Sequence, residues 1–292
     1  MSQNEITVDA GLRIPARDGF RLAATFYEPA RGAGHTAVLI NSATAVKRRY
    51  YDPFARYLAD RGFMVLVYDY RGIGGSRPKS LLGFKAQLRQ WGEEDMAGAV
   101  DWVSRHVQPR RLLVVGHSVG GQIVGLAENH AKVDALLSVG AQDGYYGNWP
   151  APARYRLAFT WHVAVPVASR LIGYTPGWLG TVEDLPGGVA REWAEWCRRP
   201  TFLFDGLAER RSSFERFDKP LFAYSFEDDK YAPRAAVESF VRFYPNARAE
   251  HRHVVPREVG ADSIGHFGFF REKFQRSLWP EAVNWLEERA AA

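Results

Sequence analysis

Along the chain, short continuous apolar runs alternate with segments whose apolar residues recur at the helical period. The runs at 36–44 (TAVLINSAT), 63–70 (FMVLVYDY), 111–118 (RLLVVGHS) and 134–141 (DALLSVGA) are rich in β-branched residues. Such runs read as strands covered on both faces. Between them, 50–62, 93–106 and 119–130 read as helices, each closing near Gly, Asn or a basic residue. Strand and helix therefore alternate, which predicts an α/β fold with a mostly parallel central sheet and helices on both faces.

The rhythm stops after residue 141. The stretch 142–217 shows no strand-like alternation, is rich in Trp and Pro, and holds Trp149, Trp161, Trp178, Trp193 and Trp196. It reads as a helical cap inserted into a core made of 1–141 and 218–292. The rhythm resumes with strands at 220–228 and 249–256, a helix at 232–244 between them, and a closing helix over 269–289. Ahead of the first unit, 6–29 predicts an antiparallel hairpin turning at Asp18-Gly19.

Charge narrows the partners. The chain carries 38 basic and 33 acidic residues, a net +5, and the two signs are interspersed. Its densest basic stretches, KRRYY at 47–51 and RRP at 198–200, are too short for a nucleic-acid groove. A single cysteine, Cys197, excludes an internal disulfide and a multi-cysteine metal site. Residues 1–15 lack the basic and apolar regions of a secretory signal, so the expected location is the cytoplasm. The most membrane-like stretch, 157–179, is interrupted by His162, Pro166, Arg170 and Pro176. These argue against stable membrane insertion and leave an interfacial or lid helix open.

The corner at 116–120, GHSVG, carries the chemistry. A sharp strand-to-helix turn pushes its central side chain outward and needs small residues on either side, so Gly116 and Gly120 fit a turn that presents Ser118. The helix that follows offers backbone N–H groups to developing negative charge. A serine hydroxyl needs a histidine to take its proton, and that histidine needs a carboxylate. His117 stands on the turn itself and points elsewhere by strand alternation; His251 and His253 lie within the last strand. His266, in ADSIGHFGFF, follows that strand in a loop between Gly265 and Gly268, and is the candidate base. For the carboxylate, strand ends offer Asp228 and Asp229, with Glu227 and Asp143 as weaker rivals. The glycines of RGIGGS, 71–76, lack the dinucleotide-binding spacing and read as a loop bordering the pocket. No zinc or calcium pattern is present, so neither metal nor cofactor is expected. Cys197 reads as packing in the cap.

GHSVGG, DYRGIGGS and EDDKYAP together resemble the α/β-hydrolase superfamily over essentially the whole chain. NSAT, YYDPFARYLADRGF, DLPGGVAREWAEWCRRP and IGHFGFFR are similar to a group of bacterial predicted α/β hydrolases near the serine-aminopeptidase and lysophospholipase-like branch. The resemblance implies an α/β-hydrolase fold and a triad of Ser118, His266 and Asp229. Asp229 is selected because the family's acid stands four residues before a proline, here Pro233. Where many relatives read His-Gly after the third strand, this chain reads Asn41-Ser42-Ala43; the resemblance then assigns the oxyanion donors to the N–H groups of Ala43 and Val119. The expected activity is hydrolysis of a small hydrophobic ester, thioester or amide through an acyl-enzyme. Acyl transfer, lyase or cyclase chemistry, ligand binding without turnover, and a homodimer all remain open. At least one large aromatic from 142–217 is expected to line the pocket.

Overall fold

The protein is described from a computed structural model covering residues 6–29, 35–204 and 208–291. Its first part comprises β1 (Thr7–Asp9), β2 (Arg13–Pro15), β3 (Arg21–Glu28), β4 (Thr36–Asn41), α1 (Asp52–Ala59), β5 (Met64–Tyr68), α2 (Ala97–His106), β6 (Arg111–His117), α3 (Val119–Gln122) and β7 (Ala135–Val139). The stretch expected to be a cap contributes α4 (Ala153–Phe159), α5 (Val165–Leu171), β8 (Tyr174–Thr175), β9 (Leu185–Pro186), α6 (Gly187–Cys197) and α7 (Ala208–Glu215). The chain ends with β10 (Pro220–Phe226), α8 (Arg234–Val241), β11 (Arg248–Val254), α9 (Gly265–Gly268) and α10 (Leu278–Ala291).

One nine-stranded sheet organises these elements in the order β1-β3-β5-β4-β6-β7-β10-β11, with β2 beside β3. From β5 to β11 every pairing is parallel, whereas β1, β2 and β3 run antiparallel at one edge. The β2–β3 pair is the expected hairpin, closed across Asp18-Gly19 by a 2.8 Å bond from the Ala16 N–H to the Phe20 carbonyl. Alternate strand residues feed two cores. Leu39, Leu66, Val114 and Leu136 pack with Trp91, Val100, Ile123 and Phe240 on one face. Val38, Ile40, Val67, Val115 and Leu137 pack with Phe54, Leu58, Phe269, Trp279 and Leu286 on the other. That double coverage is why the strands are apolar without alternation.

Four features depart from the sequence pattern. The helix expected over 119–130 is α-helical only through Gln122 and then breaks into 3-10 turns. Three glycines within seven positions weaken it. The last helix begins at Leu278 rather than 269, which puts Pro280 in its first turn, where a missing N–H does no harm. β8 and β9 form a small antiparallel ladder in the stretch expected to hold no strand. α4 and α5 are one continuous helix joined by a π-helical turn at Thr160–Ala164. Among the described residues no helix is long and apolar enough to cross a membrane.

The sheet places the site. β4 is central, the next strand β5 lies on one side of it and β6 on the other, so the chain reverses its winding there. A crevice opens beyond the carboxyl ends of the strands at such a point. The loop after β5 is fixed by Arg71, which is buried with Asp95 at 2.7 Å and meets the hairpin's Asp18 at 2.7 Å and 2.9 Å. Burial pushes the Asp95 carboxyl up to about 6 against the pull of Arg71. Arg71→Ala would strand that carboxylate and should lower stability by about 3–5 kcal/mol, read from urea denaturation midpoints.

Candidate active site

Ser118 joins β6 to α3 at φ 53° and ψ −120°, a conformation strained for a residue with a side chain. Its neighbours explain why the strain persists. A Cβ on Gly120 would stand 2.3 Å from the Asn41 carbonyl oxygen, and one on Gly116 would stand 2.6 Å from the Gly121 nitrogen. Only glycine fits at either position, so β6 and α3 close on β4 and the serine side chain is turned outward. Asn41 completes the join: its Nδ2 donates to the Gly120 carbonyl at 3.0 Å, while its Oδ1 accepts from the Tyr68 hydroxyl at 2.8 Å.

His266 sits in the short α9, with its Nδ1 2.8 Å from Asp229 Oδ2. A carboxylate accepts, so Nδ1 donates, and Nε2 is the ring nitrogen not engaged by Asp229. The other Asp229 oxygen is held by the N–H groups of Tyr231 and Ala232 at 2.8 Å and 2.9 Å. The rival acids lie elsewhere in the hydrogen-bond pattern. Asp143 accepts from the Ser239 hydroxyl at 2.7 Å and the Tyr145 N–H at 3.0 Å, and burial raises its pKa. Asp228 accepts from Ser263 Oγ and from the N–H groups of Ile264 and Gly265, the residues that lead into His266. Burial alone would raise the Asp228 pKa, but those three donors outweigh it and hold it below the usual value. Two adjacent aspartates thus act on the same histidine, one through its ring and one through its loop.

His117 points to the opposite face, as alternation requires, and is fully buried. Its Nε2 is 2.9 Å from the His266 carbonyl, an acceptor, so Nε2 carries the hydrogen. Nδ1 then accepts from the Tyr51 hydroxyl at 2.8 Å, and the Tyr51 oxygen accepts from the Ala43 N–H at 2.7 Å. Neither Tyr51 nor this chain of bonds is signalled by any local motif. The Ala43 amide, expected as a free oxyanion donor, is therefore engaged by Tyr51 in this structure. The Val119 N–H opens α3 and has no intrahelical acceptor.

Ser118 and His266 open onto one cavity of about 280 Å³, whose walls include Thr44, Gln142, Trp178, Val182, Trp193 and Phe267. Gln142 Oε1 stands 3.5 Å from Ser118 Oγ, at the outer limit of a hydrogen bond. Trp178 and Trp193 come from the stretch 142–217, so the expected aromatic lining is present. A second cavity of about 260 Å³ adjoins the first along Gln142, Gly180, Thr181, Trp193 and Tyr231, and is walled by Leu157, Trp161, Val165 and Leu185. Cys197 also lines it; its thiol is buried and its pKa is pushed up by that burial. The RGIGGS loop, expected at the pocket's border, does not line the first cavity. Asp69 holds it instead, accepting from the Gly75 N–H at 2.8 Å and pairing with the Arg48 guanidinium.

The sequence profile of the alpha/beta hydrolase family matches residues 30–273. The chain belongs to that family. The fold and the position of the Gly-rich corner agree with that membership. An uncharacterised protein of Mycobacterium tuberculosis (strain ATCC 25618 / H37Rv) is 34% identical over 129 residues, 42% of this chain and 43% of that protein. The chain thus spans less than half the length of this curated relative. Among solved structures, an esterase of Pyrococcus furiosus has a TM-score of 0.58 at 15% identity, covering 98% of this chain and 93% of that one. Est1E from Butyrivibrio proteoclasticus, with ferulic acid bound, has a TM-score of 0.64 at 17% identity, covering 96% of this chain and 100% of that one. At such identities the likeness concerns the fold.

Burial holds the His117 pKa well below 6.5, with His266 adding to the effect. In the unfolded chain the same ring takes a proton below about 6.5. Unfolding therefore binds a proton there, and stability falls as pH drops below that value. His117→Gln should remove up to about 1.4 kcal/mol per pH unit of this dependence, measured as the difference between urea unfolding free energies at neutral and mildly acidic pH.

Proposed function

We propose that the protein is a serine hydrolase that cleaves hydrophobic esters through an acyl-enzyme, with thioesters and amides as related substrates. The observation that carries this reading is the His266 ring, bonded to Asp229 and sharing one cavity with a serine held on a strained corner. In this mechanism His266 Nε2 takes the Ser118 proton as Oγ attacks the substrate carbonyl. Asp229 keeps the ring in the required tautomer and stabilises the imidazolium that forms. His266 then returns the proton to the leaving group, and water repeats the sequence to release the acid.

The negative charge of the tetrahedral intermediate falls at the start of α3. The Val119 N–H is one proposed donor. The Ala43 N–H is the second, and it serves by sharing its hydrogen with the Tyr51 oxygen that it already meets. The walls of the two adjoining cavities are largely aliphatic and aromatic, which supports an apolar acyl or ring group. In the same reading 142–217 acts as a lid over the core of 1–141 and 218–292.

A fluorophosphonate should label the protein rapidly and leave Ser118→Ala unlabelled. Ser118→Ala and His266→Ala should each lower kcat/KM by about 10³-fold or more with unchanged Tm. Asp229→Asn should cost about 10⁴-fold, while Asp143→Asn leaves turnover close to wild type. Nitrophenyl esters of medium chain length should be hydrolysed faster than the acetate. Turnover surviving in Ser118→Ala, or an acetate ester preferred over longer ones, would count against the assignment.

A further inference from the structure

The helix made by α4, the π turn and α5 is apolar on both sides. Its inner side sets Leu157, Trp161 and Val165 against the second cavity. Its outer side presents Tyr155, Phe159, Val163, Val167 and Leu171, one every four residues, at 67%, 62%, 43%, 47% and 82% exposure. A helix apolar all round is ordinarily buried, and a contiguous exposed apolar patch marks an interaction surface. Beside the carboxyl end of this row lies Leu82, 69% exposed, with its Cδ1 2.7 Å from where a Cβ on Gly173 would project.

Charge indicates what covers the row. No Asp or Glu occurs between Gly144 and Val182, although the chain holds 33 of them, while Arg154 and Arg170 in that stretch are exposed, and Arg156, also exposed, borders the second cavity. The loop carrying Leu82 repeats the pattern: exposed Lys79 and Lys85 flank it, and no carboxylate falls between Tyr70 and Gly92. Two copies meeting through this face would oppose like charges with no counter-charge from either helix. An apolar row fringed by Arg and Lys matches a helix lying in the headgroup plane of an anionic membrane, where cations meet the lipid charge and apolar side chains enter the acyl boundary.

We propose that the outer face of α4–α5, together with Leu82, docks the protein onto an anionic lipid surface. The docking is peripheral and does not rest on the hydrolytic reading. To keep the two apart, the test uses the full chain carrying Ser118→Ala, floated with phosphatidylcholine vesicles made with or without phosphatidylglycerol. The protein should float with the phosphatidylglycerol vesicles and remain behind with phosphatidylcholine alone. Phe159→Asp with Leu171→Asp should lower the bound fraction by about tenfold or more. Arg170→Gln should weaken binding by about fivefold, and added salt should do likewise. These side chains are exposed, so Tm should stay unchanged, and Arg170→Gln reports even if the double variant does not fold. Absence of flotation, or equal binding to both vesicles, would overturn the proposal. So would a concentration-dependent dimer in sedimentation that Leu171→Asp abolishes, which would give the face to a second copy.

Discussion

The carboxyl end of β4 and the first turn of α3 approach so closely that a methyl group on Gly120 would stand 2.3 Å from the Asn41 carbonyl oxygen. Because that approach is made without a side chain between them, the chain leaving β6 has to turn within one residue. Ser118 takes the strain of the turn, at φ 53°. The surrounding close packing leaves no relaxed alternative, which is the condition under which local strain persists in a folded protein. The same turn aims the serine side chain at the crevice and leaves the Val119 N–H at the open end of a helix. The position of Ser118 and the field around it are thus consequences of one steric contact.

Around that corner, polar groups divide their work by direction. Asp229 accepts from the ring of His266, Asp228 accepts from the backbone that leads to it, and His117 donates to its carbonyl. The bonds running from Ala43 through Tyr51 and His117 to His266 allow only one orientation of each hydrogen, because a carbonyl closes one end and an amide the other. Every member is buried, so reversing or losing one link leaves an unpaired polar group in a low-dielectric interior. The loop after β4 and the loop after β11, far apart in sequence, are held in register by this line of bonds.

The strands were readable because a parallel sheet covered on both faces leaves continuous apolar runs, and Ser118 because two glycines flank it where such a run ends. The family resemblance, through the spacing of Pro233 from Asp229, and the position of His266 after the last strand pointed to the two residues that the structure brings into contact. What escaped depends on contacts between distant segments. Tyr51 and His117 are 66 residues apart and share no pattern. The duty of Asp228, which holds the backbone leading into His266, emerges only once 263–266 folds back on it. The helix expected over 119–130 had suitable apolar spacing, but the glycines that allow close packing at the corner also shorten it. The RGIGGS loop followed a strand end, as pocket loops do, yet Asp69 and Arg48 draw it elsewhere.

The π-helical turn at Thr160–Ala164 bears on how one helix keeps two faces. In regular α-helical winding, residues spaced by four advance about 40° around the axis at each step, so a row from Tyr155 to Leu171 would spiral away from its starting side. A widened turn takes up extra chain without adding the full rotation, which holds the row closer to a single side while Trp161 and Val165 still face inward. Regular winding of the same residues would add rotation at that turn and carry the whole of α5 around the axis relative to α4. The residues of α5 that face inward and outward would then be turned away from the sides set by α4. The geometry of that one turn therefore sets both the wall of the inner cavity and the face turned to the surroundings.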